Sequence, residues 1–431
     1  MENVHKDSYF FKAFSCMMER VLLIQRTKGV WNVKLKIGLI WRIVIAIALA
    51  VGLGYLTPMI GEGFAKGFTR LFATFNMIFG GFLNFVVPLI ILAFIAPGIA
   101  KLGKGSGKLL GLATLFAYTS TIIAGILAFF AATSILPGYI SGLGSKSIET
   151  AKEAATAFFE LELTPLMGVM TALLLAFVLG IGMAAIGSKT MLNMFEELNV
   201  IIEKVISVII IPLLPIHIFG IFLNMTYTGE VAKVLSIFIF VFVMIIILHL
   251  IMLTLQYTVA GAVSQRNPFR LMKIMAPAYF TAVGTQSSAA TIPVTLRQAK
   301  QTGASARVTD FTIPLFATIH LSGSTITLVS CSIGVMLMND MPISFVAYLG
   351  FIFMLGITMI AAPGVPGGAV VAATGLLSSM LGFDESMVAL MIALYMAQDS
   401  FGTATNVTGD GALAIVVDSF SKDGTSAKLS K

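Results

Sequence analysis

Residues 387–417 read MVALMIALYMAQDSFGTATNVTGDGALAIVV, an apolar stretch whose only charged residues are Asp399 and Asp410. At about 100° per residue, Asp399, Thr403, Asn406 and Asp410 share one stripe of a helix. A carboxylate at the centre of a bilayer costs roughly 2.5–3.5 kcal/mol on insertion scales, so acids placed there line a cavity and bind something. The stripe reads as a binding face for cations and a small polar substrate.

The rest of the chain sets that stripe in a membrane. Hydrophobic residues make up 58% of the sequence and charged ones only 11%, against about 25% charged in a typical soluble domain. Apolar runs occur at 37–56, 72–99, 109–132, 167–186, 205–222 and 235–263, and a span needs about 20 residues. The reading is an all-α polytopic membrane protein whose surroundings are the lipid bilayer. Its net charge of +7 comes from basic clusters in the N-terminal region (Lys6, Lys12, Arg20, Arg26, Lys28, Lys34, Lys36) and at 101–108, 266–273 and 297–307. The positive-inside rule places all of these in the cytoplasm, so orientation explains the charge and nucleic acid is not an expected partner. The loop 145–162 carries its charge mostly as glutamate and is expected outside. Cys16 and Cys331 are not expected to form a disulfide, and no cleaved leader is expected before the first apolar run.

From Asn267 onward the pattern changes. Residues 271–296 are interrupted at 284–288, residues 311–338 at 320–324, and residues 351–381 at 362–368; the fourth segment is the polar helix of Asp399 to Asp410, grouped with these as a segment broken near its middle. Six spans from an inside N-terminus bring Arg266 back inside. Arg297, Lys300 and Arg307 demand the same side again, so the first broken segment enters and leaves on one face. The second crosses, the third is re-entrant from outside, and the last helix crosses inward to Lys422. The expectation is eight transmembrane helices plus two opposed re-entrant hairpins, with inverted repeats and cytoplasmic termini. Non-helical backbone at membrane depth survives only where protein or a water-filled cavity satisfies it. Opposed repeats with broken helices mark secondary transporters with a midplane site.

Three motifs carry a family resemblance. Residues 284–295, GTQSSAATIPVT, resemble the serine-rich first hairpin of the glutamate transporter family, the dicarboxylate/amino acid:cation symporters. Residues 362–368, APGVPGG, resemble its second hairpin tip, and Asn406 to Asp410, NVTGD, its last helix. The motifs keep the family's order, and the span pattern fits from about 36 to 418. The resemblance implies an elevator-type homotrimer. Residues 36–100 and 163–227 would be scaffold helices, residues 108–132 and 231–418 a transport domain, and residues 1–35 and 419–431 cytoplasmic tails. The second hairpin would be the extracellular gate. Substrate would be held by Ser287, Ser288, Ser324, Gly364, Val365, Asp399, Gly402, Thr403 and Asn406. Of these, Ser287 and Ser288 lie where half-helix N-termini can hold a carboxylate, and Asp399 can pair with an ammonium group. Sodium would be held by the carboxylate of Asp410 and main-chain carbonyls of Phe316, His320 and Asn406. A second site would use Thr318, Met359, Ile360 and Ala362.

Departures from the family matter as much. Its acidic-substrate members carry an arginine where this chain has Gly402, and an unpaired side-chain carboxylate in that pocket would be costly to desolvate. The family's Asn-Met-Asp-Gly-Thr is here His320-Leu321-Ser322-Gly323-Ser324, and Ala117 replaces a frequent tyrosine while Ser120 and Thr121 keep hydroxyls. A third sodium site is therefore expected to be lost or changed, and the His320 imidazole is a candidate proton carrier. Bland roles compete: Ser287, Ser288 and Ser324 as helix caps, Pro366 as a turn former, His217 and His249 as packed residues. The expected function is a secondary active symporter, coupled to Na+, importing a small neutral amino acid across a bacterial plasma membrane, with no cofactor beyond the coupling ion (Na+ or H+). The alternatives are a proton-coupled amino acid or dicarboxylate symporter, a channel, or a sensor without coupled uptake. No zinc-protease or serine–histidine pattern points to an enzyme.

Overall fold

Alternation of long apolar runs with proline, glycine and charged breaks resolves into fourteen α-helices among the described residues. The structure, a computed structural model, describes residues 39–102, 107–142, 154–159, 161, 163–359 and 366–421. The N-terminal tail, Cys16, most of the 145–162 loop, Ile360, Ala362, Gly364, Val365 and residues beyond 421 lie outside them.

Five helices cover the expected scaffold segments. These are α1 (Leu39–Ile60), α2 (Glu62–Leu102), α4 (Val169–Ile186), α5 (Lys189–Val205) and α6 (Ile211–Thr228), with α3 (Gly107–Gly142) and α7 (Val231–Ser264) between and after them. Helix α2 is 41 residues long and starts ten residues before the apolar run at 72, because Glu62 and Phe64–Arg70 extend it beyond the hydrophobic stretch. Ser188 starts α5, its hydroxyl accepting from the Met191 N–H at 3.3 Å. A π turn, Ile206–Ile210, joins α5 to α6 just before Pro212. Proline brings no N–H to the ladder, and the wider i→i+5 turn, seen in the Ile211 N–H to Ile206 carbonyl bond, adjusts the register before it.

The C-terminal half holds α8 (Pro268–Thr285), α9 (Ser288–Gln301), α10 (Ala306–Ile319), α11 (Ser322–Met338), α12 (Phe345–Met359), α13 (Gly368–Leu381) and α14 (Glu385–Ser421). The interruptions at 284–288, 320–324 and 362–368 fall where three helix pairs part. The fourth segment does not break: α14 runs continuously for 37 residues. Its small and polar residues, Gly402, Thr403, Asn406 and Gly409, all keep helical geometry because neighbouring helices cover them on every side.

Helix α1 packs on α6, and α2 on α4, α5 and α6; a second group forms around α14, which touches α3, α7, α8, α9, α10, α11 and α13 and also reaches α1, α2 and α6 of the first group. Helix α11 is buried from Ser322 to Met336, and α14 almost throughout from Val388 to Asp418. Outward faces are apolar instead: Trp41, Leu49 and Ile60 on α1, Leu174 and Val178 on α4, and Ile239, Val243 and Ile247 on α7. A continuous greasy exterior around a polar centre is the inverse of a soluble protein and suits hydrocarbon. Seven runs among the described residues are long and apolar enough to cross a bilayer, with α5–α6 and α10–α11 each counted as one; α4 is a shorter apolar helix. Between the two groups, Asn84 Nδ2 on α2 donates to Glu385 Oε1 at the start of α14, at 3.1 Å.

Candidate functional site

The breaks leave helix ends inside the protein, and each needs partners for its orphan backbone groups. Asn267 caps α8 through the Arg270 N–H, and Ser287 caps α9 through the Ala290 N–H at 3.2 Å. Gln286, between α8 and α9, takes a left-handed φ of 54°. Arg266 closes the base of this pair, its Nη1 donating to the Thr302 carbonyl at 2.6 Å and its Nη2 to that of Gly303 at 3.2 Å.

Helix α14 links this junction to the one before α13. Gln286 Nε2 donates to Ser400 Oγ at 3.1 Å, tying the α8–α9 junction to α14. One residue earlier, Asp399 Oδ2 accepts the N–H of Gly367 at 2.8 Å, tying down the start of α13. Gly367 has a φ of 75°, which suits glycine and aims its N–H at the carboxylate. Consecutive residues of one helix thus hold both junctions, and Asp399 is only 4% exposed. No lysine or arginine is buried among the described residues.

About two turns further along, Asn406 has a role that sequence reasoning missed. Helix α11 has no side-chain cap of its own. Asn406 Oδ1 supplies one from α14, accepting the N–H of Gly323 at 2.7 Å and of Ser324 at 3.3 Å, while its Nδ2 donates to Ser324 Oγ at 3.0 Å. The expected roles toward a substrate carboxylate and a cation therefore fall to one remaining amide N–H and the main-chain carbonyl. Gly402 faces the same turn: a Cβ there would meet Ser324 N at 3.5 Å and Gly323 C at 3.6 Å, ordinary contacts. Thr403 is buried between these levels. His249, read as a packed residue, holds the opposite side of Gly323, its Nε2 lying 3.0 Å from that carbonyl oxygen.

The cation residues gather at the α10–α11 break. The His320 N–H ends α10 on the Phe316 carbonyl at 2.9 Å. Its ring turns to α14, with Nδ1 2.8 Å from Asp410 Oδ1 and both side chains buried. Asp410 thus already has an imidazole partner, where the sequence showed no basic residue on its own stripe. The other face of the ring meets Ser120 Oγ at 3.1 Å and Gln256 Nε2 at 3.3 Å. Tyr257 donates to the Thr408 carbonyl at 2.6 Å, docking α7 on α14. Thr318 is exposed, its hydroxyl bonded to the Leu315 carbonyl, and Met359 is buried at the end of α12. Ser287 and Ser288 are half-buried beside the α8–α9 junction; no described contact joins either serine to Asn406.

Gln256 was legible in principle. It stands seven residues after His249 in the run 235–263, and that spacing puts two polar side chains on one face of an otherwise apolar helix.

Broken helix pairs converging on a buried, acid-bearing helix within an apolar exterior define a multi-pass membrane protein of the transporter class, not an enzyme. Residues 39–420 match the sodium:dicarboxylate symporter family, and the chain belongs to it. It is 27% identical over 270 residues to an excitatory amino acid transporter of Caenorhabditis elegans, covering 61% of this chain and 52% of that protein. Similarity to human excitatory amino acid transporter 3 is 27% over 266 residues, covering 59% and 49% of the two chains. The matches thus span about half the length of these animal relatives. The serine/threonine transporter SstT of Acinetobacter baumannii is 23% identical over 402 residues, covering 89% of this chain and 97% of that protein.

Proposed function

We propose that the protein is a secondary active symporter that couples a monovalent cation, Na+, to import of a small neutral amino acid. The observation that carries this reading is the clasp at Asp399 and Ser400, where one helix holds both junctions around a buried carboxylate. An uncompensated buried charge is costly. Asp399 takes one backbone N–H on Oδ2 and has the Tyr395 hydroxyl beside it, neither of which supplies a positive charge, and an amino acid's ammonium group would supply it. The substrate carboxylate would face the half-helix N-termini near Ser287, Ser288 and Ser324, with Thr403 and the free Asn406 N–H at hand. Gly364 and Val365, near Gly367, would complete the pocket. Phe316, His320, Asn406 and Asp410 would hold the first cation, and Thr318, Met359, Ile360 and Ala362 the second.

The absence of a buried arginine or lysine among the described residues supports a neutral side chain, and the likeness to a serine/threonine transporter over nearly its whole length points the same way. The two packing groups support a division into scaffold and moving domain, with α8–α9 and α12–α13 as opposed re-entrant hairpins and the second as the outer gate. An elevator motion within a homotrimer in a bacterial plasma membrane, both termini cytoplasmic, completes the proposal.

Counterflow in proteoliposomes tests it. Radiolabelled serine, threonine or alanine should exchange and should accumulate under an inward sodium gradient. Currents without solute uptake, or binding without flux, would replace the symporter with a channel or a sensor.

Selectivity offers a sharper check. The Cβ of Gly402→Arg meets only ordinary contacts, so the backbone admits a side chain there, and a guanidinium within the pocket would pair with a side-chain carboxylate. The ratio of aspartate to serine uptake should rise about tenfold or more, equivalent to about 1.4 kcal/mol. An unchanged ratio in the folded variant would count against Gly402 as a pocket residue.

A further inference from the structure

Asp410 is 1% exposed, and its two oxygens are treated differently. Oδ1 faces His320 Nδ1 at 2.8 Å; Oδ2 is buried with no hydrogen-bond partner among the described residues. A bare carboxylate oxygen inside a protein calls for a positive or donating guest.

The ring that holds Oδ1 is itself met from two further helices. Ser120 on α3 lies 3.1 Å from Nε2, and the amide nitrogen of Gln256 on α7 lies 3.3 Å from it. The same amide donates to Ser120 Oγ at 2.9 Å and to Ser322 Oγ at 3.3 Å. An ionised carboxylate only accepts, so the proton that joins it to the ring at 2.8 Å sits on Nδ1, facing Asp410. Gly409 fits closely over this contact: a Cβ at that position would stand 2.6 Å from Gln256 Oε1 and 2.9 Å from His320 Cε1. The α10–α11 break supplies the backbone, since His320 adopts extended geometry as α10 ends.

We propose that His320 sets the cation affinity of the Asp410 site: its Nδ1–H occupies one carboxylate oxygen and leaves only Oδ2 to the ion. The inference rests on the symporter reading above and adds a specificity determinant to it. A cation at Asp410 then finds a one-handed ligand whose charge is partly drawn to the imidazole. To gain the second oxygen it must displace a ring held by Ser120 and Gln256. Gln256 is a positioning residue in this arrangement, acting on the ion only through His320.

The test measures sodium titrations of uptake, and of melting temperature without substrate, for wild type, His320→Asn and Gln256→Leu. The half-saturating sodium concentration should fall on the order of tenfold in His320→Asn, the size expected when one charge-assisted hydrogen bond stops competing with the ion. A smaller fall in the same direction is expected for Gln256→Leu, which frees the ring but keeps it. A purely structural histidine would lower melting temperature in both variants without moving the sodium midpoint, and that result overturns the proposal. If His320→Asn does not fold, the Gln256→Leu midpoint decides alone. Wild type indifferent to sodium with a responsive His320→Asn would sustain the proposal while removing sodium symport from the native chain. A responsive wild type with unshifted variants would do the reverse.

Discussion

Asp399→Asn is expected to abolish amino-acid transport while leaving the fold intact. Asparagine matches the shape of aspartate, and its carbonyl oxygen can still accept the Gly367 N–H that Asp399 now takes at 2.8 Å. The start of α13 stays anchored, and only the charge is lost. In a site as buried as this one, removing one partner of an ion pair costs about 3–5 kcal/mol, or on the order of 10²–10⁴-fold in affinity. Substrate-induced thermal stabilisation should disappear at concentrations that saturate the wild type, and counterflow should fall to background. Melting temperature without substrate should change little. Normal transport by this variant would show that the ammonium group binds elsewhere.

Gly323→Ala should have the second large effect, by a different route. A Cβ at Gly323 would overlap the Gly402 carbonyl oxygen and come within 2.6 Å of Thr405 Cβ. The first obstacle is backbone of a buried helix, so no side-chain rotation removes it. Helix α11 would have to retreat from α14, stretching the Gly323 N–H bond to Asn406 and the carbonyl contact to His249. Overpacking of this kind costs roughly 1–3 kcal/mol, and a buried donor left without its acceptor adds about as much again. Reduced yield of folded protein, a lower melting temperature and loss of uptake are the expected readings. Gly402→Ala is the control, because its new methyl group meets only contacts of 3.5 Å and longer. Equal melting temperatures for the two variants would refute the close approach of α11 to α14.

Much of this arrangement could be read from the chain, and the reasons are local. Composition placed the spans, and short polar interruptions placed the breaks at 286–287 and 320–321, because glycine, serine and histidine cannot continue an apolar pattern. The same logic misjudged 399–410. Gly402, Thr403 and Gly409 look like interruptions, yet α14 continues because α7, α8, α10 and α11 pack against its small residues. Residue type identified Asp410 but not its partner, since His320 lies 90 positions away in the chain. Asn406 was singled out for substrate and cation, while the capping of another helix went unread. Its oxygen serves backbone N–H groups of another helix, which no spacing within 387–417 could disclose.

That borrowed cap bears on how the polypeptide is made. The oxygen that completes the first turn of α11 belongs to a residue 83 positions later. During synthesis, the start of α11 is therefore exposed at the translocon with bare amide protons until the C-terminal helix has been inserted. Hydrocarbon offers such groups no substitute. Biogenesis must shelter this joint, in water or against an insertase, until Asn406 has been made and inserted.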